Sequence, residues 1–165
     1  RLLWRTTYNA KHAAHALARL LDEHLEPSLR ARGVPRTRVY FLRNSHAAGD
    51  AFADVFTRAL VFNGKSAMEN DLDYRERSLS GDDTLESSYA GVAEDILAFK
   101  PDAVFFTVGD PVVEAVFAKV ESAWPPGHPR PVYATLNSFP YGLYPYLGAD
   151  AARRRRFFGV STVSS

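Results

Sequence analysis

One stretch near the middle of the chain constrains the fold more than any other. The run from Ala103 to Val108 is β-branched and aromatic with no alternation, which is typical of a strand buried on both faces of a parallel sheet. Gly109 permits a tight turn, Asp110 can cap a helix, and Pro111 suits the first helical position, which needs no amide hydrogen. The pattern predicts half of a βαβ unit, with any ligand site just beyond the carboxyl end of the strand.

Strand and helix patterns alternate along the rest of the chain. The predicted strands are 38–43, 103–108, 132–136 and 157–163, with a weak edge strand within 65–77. Four helices are predicted: the first spans 9–25, the second carries the apolar stripe 52–60, the third spans 85–99, and the fourth starts at 111. This order predicts an α/β fold. We expect a three-layer αβα sandwich around a mainly parallel, Rossmann-like sheet with the flavodoxin-like strand order.

Local signals mark the ends of several predicted elements. Asp83 followed by Glu86 resembles a capping box for the third helix. Asn63-Gly64 predicts a left-handed end for the second helix. Pro27 predicts a bend or the start of a short second helix, and 137–148 is predicted as an aromatic and proline-rich loop.

Composition excludes several classes of protein. The chain has 165 residues, a formal charge of +1 and no cysteine, so disulfide frameworks and thiolate metal sites are excluded, and no global field would attract nucleic acid or an anionic membrane. No apolar run approaches the ~20 residues of a membrane-spanning helix. The apolar residues that follow Arg1, and the strand-like run just before the last residues, lead us to expect a piece of a longer polypeptide.

Three ordered motifs carry a family resemblance. They are RVYFLRNSHAAG at 38–49, the helical stripe 52–60, and FKPDAVFF at 99–106. Together they resemble the second lobe of type I periplasmic binding proteins, with the branched-chain amino-acid-binding receptors of ABC transporters as the nearest group. The resemblance spans about 1–163 and implies that 1–165 is a single α/β ligand-binding lobe of a two-lobed protein, which closes on a small solute.

The same resemblance implies a set of site residues on three loops. The implied ligand-binding residues are Asn44, Ser45, His46, Ala48, Gly109, Asp110, Asn137 and Ser138, with possible aromatic contacts from Phe139 and Tyr141. Ala48 stands where an aromatic residue often precedes the glycine, and Asn137 matches the acidic residue that binds a ligand ammonium. These two departures suggest a different or larger ligand, or a degenerate site.

Simpler roles compete with these assignments. Asp110 suits a helix cap as well as a ligand contact, and Ser45 and His46 suit turn and capping roles better than a nucleophile and base, because no third orienting group is evident. The histidines of the first helix have no matching metal ligands. The basic run 153–156 is interpreted as a solvated helix end or a salt-bridged face rather than a phosphate or nucleic-acid site.

The leading functional hypothesis is a non-enzymatic, periplasmic or extracellular solute-binding module of an ABC-type importer or receptor. Its expected partners are a small polar solute (an amino acid, an amide or similar), the first lobe of the same protein, and an ABC permease or sensor. No cofactor, metal, nucleic acid or membrane span is expected. The alternatives are a flavodoxin-like or receiver-type regulatory domain, and a small α/β hydrolase, although the Gly-x-Ser-x-Gly elbow is missing.

Overall fold

A five-stranded parallel sheet forms the centre of the protein. The computed structural model describes residues 10–79, 82–136, 141–148 and 150–160. The strands in chain order are β1 (Val39–Arg43), β2 (Val61–Phe62), β3 (Lys65–Ser66), β4 (Tyr74–Ser78), β5 (Ala103–Thr107), β6 (Val132–Leu136) and β7 (Phe157–Val160). Strands β2 and β3 form a separate antiparallel hairpin, and the other five make the sheet.

The strand order is β4-β1-β5-β6-β7, and every neighbouring pair is parallel. Counted along the five sheet strands, this is the flavodoxin-like order 2-1-3-4-5. The predicted αβα fold class and strand order are therefore confirmed. The predicted edge strand is also confirmed, since β4 lies at one edge and carries the polar sequence expected there.

Helices connect the strands and cover the sheet. They are α1 (Ala10–Leu20), which continues through a π-helical turn (Leu21–Leu25) into α2 (Glu26–Ala31), then α3 (Ala47–Ala59), α4 (Val92–Phe99), α5 (Ala118–Ala123) with a preceding π-helical turn (Val113–Phe117), α6 (Leu143–Gly148) and α7 (Ala151–Arg154). Pro27 lies in the first turn of α2, where its missing amide hydrogen costs little. Helix α6 falls inside the stretch predicted as a loop.

The sheet separates two apolar cores, because successive strand residues point to opposite faces. On one face, Phe56 of α3 packs against Phe41 and Phe105, with ring centroids 4.8 and 5.2 Å apart. On the other face, Phe106 packs against Phe117 at 4.8 Å. The central strands contribute buried residues to both cores, which is why their sequences show no alternation.

The predicted capping box at Asp83 and Glu86 is wrong. Glu86–Tyr89 is a separate 3₁₀ turn, and α4 begins only after Gly91, whose φ of 73° is left-handed. A left-handed residue cannot continue a right-handed helix, so the apolar spacing that ran through 85–99 is divided between two elements.

The predicted role of Asn63-Gly64 is also wrong. Helix α3 ends in Leu60, which is extended (φ −75°, ψ 117°), and the chain passes directly into β2. Asn63 and Gly64, with φ of 53° and 72°, instead form the tight turn between β2 and β3. Two consecutive positive φ angles are what a two-residue hairpin turn of type I′ requires.

Candidate ligand-binding site

The carboxyl ends of the central strands meet at a topological switch point. From β1 the chain goes first to β4 on one side, and then returns to β5 on the other side. The loops that leave β1 and β5 therefore diverge, and in open α/β sheets the crevice between such loops is where ligands bind.

A cavity of about 250 Å³ lies at this point. Residues from the ends of three strands and the first turns of α3 line it: Asn44, His46, Ala48, Gly49, Phe52, Thr107 and Leu136. Its size is slightly below the range of roughly 300–1,000 Å³ that is usual for complete small-molecule pockets. Asn44, His46 and Ala48 are among the residues predicted for the site, and the structure brings all three to the cavity.

The lining combines an apolar wall with three polar side chains. Phe52, which is 4% exposed, and Leu136 form the apolar part. Asn44, His46 and Thr107 supply amide, imidazole and hydroxyl groups. Apolar surface with a few convergent polar groups is the usual make-up of a small-molecule site.

Two buried polar atoms of lining residues have no hydrogen-bond partner among the described residues. They are the side-chain oxygens Oδ1 of Asn44 and Oγ1 of Thr107. The amide Nδ2 of Asn44 donates to Oδ2 of Asp83 at 3.2 Å, so the side chain is anchored by one end only. Unsatisfied buried oxygens carry a desolvation cost, which a ligand or water that donates to them would remove.

His46 positions the start of α3. It is the N-cap residue, and its Nδ1 accepts a hydrogen bond from the backbone N–H of Gly49 at 3.1 Å. An accepting Nδ1 puts the ring proton on Nε2. The predicted capping role of His46 is therefore confirmed, whereas Ser45 is exposed and does not line the cavity.

Gly49 allows α3 to approach the loop after β1. A Cβ placed on Gly49 would lie 1.9 Å from Oδ1 of Asn44 and 2.9 Å from the Asn44 carbonyl oxygen. Both distances are shorter than any ordinary contact. Position 49 therefore has room only for a glycine, and the Asn44 side chain packs against α3 at this point.

The predicted second loop does not line the cavity. Gly109 instead packs under the loop after β4, where an added Cβ would lie 2.8 Å from the Asp83 carbonyl oxygen. The Tyr89 hydroxyl lies 2.8 Å from the Asp83 carbonyl oxygen and 3.3 Å from that of Gly109, which ties the two loops together. Burial raises the pKa of Tyr89, so its hydroxyl remains a donor at neutral pH.

Asp110 is exposed and is not the side-chain cap that its sequence suggested. The N-cap position of the π-helical turn is Val112, which has no capping side chain. Backbone groups begin the helix instead, through N–H donation from Val113 to the Asp110 carbonyl and from Ala115 to the Pro111 carbonyl.

The third predicted loop falls mostly outside the described residues. Asn137, Ser138 and Phe139 lie there. Tyr141 is described and is 84% exposed, close to the start of α6.

Sequence reasoning missed Gly49, Phe52, Thr107 and Leu136 as lining residues. Thr107 and Leu136 are the last residues of β5 and β6. Ligands bind beyond strand ends, so the final residue of each strand was itself a usable signal.

The arginine beside the cavity is already paired. Arg43 at the end of β1 is joined to Glu76 at 2.6 Å and also forms an ion pair with Asp50. Burial alone would lower the pKa of Arg43, but the hydrogen bonds that it donates to the two carboxylates outweigh burial and raise that pKa. The guanidinium therefore stays charged and is held by its own neighbours.

Within the described ranges, no three histidine, cysteine or acidic side chains gather in a way that would hold a metal ion. No helix in those ranges is both long and apolar enough to cross a membrane.

Comparison with known proteins leaves the family open. No family model matches the chain, and neither does any curated protein. Among solved structures, the chain is similar to an extracellular ligand-binding receptor from Verminephrobacter eiseniae, with a TM-score of 0.49 and 16% identity. The match covers 74% of this chain and 30% of the receptor chain. The fold and cavity themselves define an α/β domain with flavodoxin-like strand order and a cavity at its switch point.

Proposed function

We propose that this chain is a non-enzymatic ligand-binding domain that holds a small solute at the carboxyl edge of its sheet. The observation that carries the proposal is the cavity between the ends of β1, β5 and β6, where Asn44 and Thr107 have buried oxygens without partners among the described residues. Those oxygens accept hydrogen bonds, so the ligand would present N–H or O–H donors to them.

The lining also limits the class of solute. Phe52 and Leu136 favour an apolar portion, and Asn44, His46 and Thr107 favour hydrogen-bonding groups on the same small molecule. An amino acid, an amide or a similar solute has both parts. The cavity volume of about 250 Å³ suits a molecule of that size when a further surface completes the enclosure.

The further surface, in this proposal, is a second lobe of the same protein. The ordered motifs at 38–49, 52–60 and 99–106 support it, because they resemble one lobe of type I periplasmic binding proteins. A periplasmic or extracellular location and work with an ABC permease or a sensor are part of the same proposal. Closure of two lobes over a solute excludes water and strengthens each hydrogen bond.

Local geometry argues against a hydrolytic role for Ser45 and His46. Nδ1 of His46 is committed to the Gly49 amide, and the exposed Ser45 does not line the cavity. A nucleophile and its base need to share one hydrogen bond and one site.

A regulatory domain is the second candidate, because flavodoxin-like and receiver-type domains share the strand order 2-1-3-4-5. The loop after β1 separates the two candidates. A receiver needs acidic residues there, whereas this strand ends in Arg43 and Asn44. Phosphorylation of one aspartate in the presence of Mg²⁺ would favour the regulatory role over solute binding.

A thermal-shift screen on the intact protein tests the proposal. The probes are free amino acids, simple amides, monosaccharides and short peptides, and we expect at least one to raise the melting temperature. Any hit is then titrated into Thr107→Val and into Ser45→Ala, a matched control that loses a hydroxyl from the same edge of the sheet. A hit weakened about tenfold by the first change alone supports the site. No hit, or equal loss in both variants, contradicts it.

A further inference from the structure

A second cavity lies at the opposite edge of the sheet. It has a volume of about 320 Å³ and is bordered by α5, α6, α7 and the residues just before β6 and β7. Its charged and polar lining residues are Glu121, Arg130, Tyr146, Asp150, Arg153 and Arg156. Three arginines against two carboxylates give this cavity an excess of positive charge.

The Glu121 carboxylate accepts hydrogen bonds from three neighbouring side chains. Arg156 donates to its Oε1 at 2.8 Å and its Oε2 at 2.6 Å, Arg130 donates to Oε2 at 2.9 Å, and the Tyr133 hydroxyl donates to Oε1 at 3.1 Å. One carboxylate therefore serves two guanidiniums, and their tips lie close together because both reach the same oxygen. Such a pair carries one uncompensated positive charge.

The second carboxylate, that of Asp150, is committed to the start of α7. Its Oδ1 accepts from the backbone N–H groups of Ala152 at 2.8 Å and Arg153 at 3.0 Å. No ion pair of the Arg153 guanidinium is found among the described residues. Its Nη1 donates to the Tyr146 carbonyl at 2.7 Å, and its Cζ lies 3.9 Å from the centre of the Tyr146 ring.

Two buried donors of lining residues have no partner among the described residues. They are Nε of Arg153 and the hydroxyl of Tyr146. Burial raises the pKa of Tyr146 to about 12, so the hydroxyl keeps its proton at neutral pH. These two donors and the net positive charge of the lining favour a group that is negatively charged and has several acceptor oxygens.

We propose that this cavity binds a small oxyanion, a phosphate or a carboxylate group, held by Arg153 and Tyr146 with Arg130 and Arg156 alongside. The sequence predicts a solvated helix end or a salt-bridged face for the basic run 153–156, and the ion pair of Arg156 with Glu121 confirms the second alternative. Arg153 is the exception, since its guanidinium forms no ion pair among the described residues, although the Asp150 carboxylate lines the same cavity. The proposal does not depend on the solute site at the other edge of the sheet.

Calorimetric titration of the intact protein with inorganic phosphate tests the inference, with acetate and chloride as further probes at matched ionic strength. The variants are Arg153→Gln, Tyr146→Phe and the control Arg155→Gln, which removes the same charge from an exposed neighbour outside the cavity. Circular dichroism confirms that each variant is folded.

We expect phosphate or acetate, but not chloride, to bind with saturation. Arg153→Gln should weaken binding about tenfold, Tyr146→Phe about threefold, and Arg155→Gln hardly at all. The stronger of the two oxyanions identifies the class of ligand group. Binding no tighter than that of chloride, or an equal loss in the Arg155→Gln control, would overturn the inference. The Tyr146→Phe result remains informative if the arginine variant unfolds, because it removes only one hydroxyl.

Discussion

At the scale of single residues, the candidate site depends on Gly49, which has no side chain. Gly49→Ala would put a Cβ 1.9 Å from Oδ1 of Asn44 and 2.9 Å from its carbonyl oxygen. The side-chain oxygen can rotate away, but the backbone oxygen can move only with the loop. We expect a loss of about 2 kcal/mol in the free energy of unfolding, measured by urea denaturation.

Gly148→Ala is the matched control, because no atom of the described residues lies within 4 Å of a Cβ built there and the residue is the last of α6. Its unfolding free energy should stay the same or rise slightly, since alanine favours a helix over glycine. Equal losses in the two variants would show that the contact with Asn44 does not restrict position 49.

A substitution at Thr107 is expected to weaken ligand binding without lowering the free energy of unfolding. Its buried hydroxyl has no partner among the described residues, so Thr107→Val removes a desolvated polar atom at nearly constant shape. We expect the ligand-free protein to be unchanged or about 1 kcal/mol more stable, while any ligand of the cavity binds less tightly. A clear loss of stability without ligand would indicate that the hydroxyl has a structural partner after all.

At the scale of elements, Glu121 joins α5 to the starts of β6 and β7. It is 9% exposed and bonds Arg156, Arg130 and Tyr133. Glu121→Gln leaves two guanidiniums without their carboxylate, and we expect a loss of about 3 kcal/mol near neutral pH. Glu23→Gln, which breaks the exposed pair with Arg19 within one helix, should cause no measurable loss.

The same carboxylate makes stability depend on pH. Burial would raise the pKa of Glu121, but hydrogen bonds and charge from Arg156, with help from Tyr133 and Arg130, lower it below its usual value. The unfolded chain then binds this proton more readily than the folded one. The contribution of Glu121 is therefore complete above its unfolded pKa and is lost as the pH falls through the lowered folded value.

Urea titrations of the wild type and Glu121→Gln across that acid range measure this difference. The two stability curves should converge as the pH falls. Parallel curves would mean that Glu121 titrates alike in the folded and unfolded chains.

At the scale of the whole molecule, one sheet couples two cores. Phe56 belongs to the core under α3, and Phe117 belongs to the core on the other face. We expect Phe56→Leu and Phe117→Leu each to cost about 1.5 kcal/mol, and to shift one common unfolding transition, because both cores share the same strands. In the double variant the two losses should add within about 0.5 kcal/mol.

The comparison pair is Phe41→Leu with Phe56→Leu, whose rings are 4.8 Å apart in one core. Those losses should depart from additivity, since the two rings share a contact. Two separate transitions in the Phe117→Leu variant would show that the faces unfold independently.

Prediction from sequence succeeded where a pattern repeats and failed where a single residue decides. The unalternating run at 103–108 and the apolar stripe at 52–60 identified a strand and a helix in the right order, because burial acts on every residue of each element. The capping box at Asp83 failed because one left-handed residue, Gly91, divides the helical pattern. The role of Asn63-Gly64 failed because the same turn chemistry ends helices and closes hairpins.

Apolar periodicity and the order of elements are enough to predict the αβα class, the parallel sheet and the edge of the sheet at which the first cavity opens. Which side chains share a cavity depends on the packing of the elements in three dimensions. In the structure, Thr107 and Leu136 line the same cavity as His46, and Gly109 packs under the loop after β4. Arg130, Arg153 and Arg156 line the second cavity. Such groupings join residues far apart in the chain, and the packing of helices on the sheet fixes them rather than any local pattern.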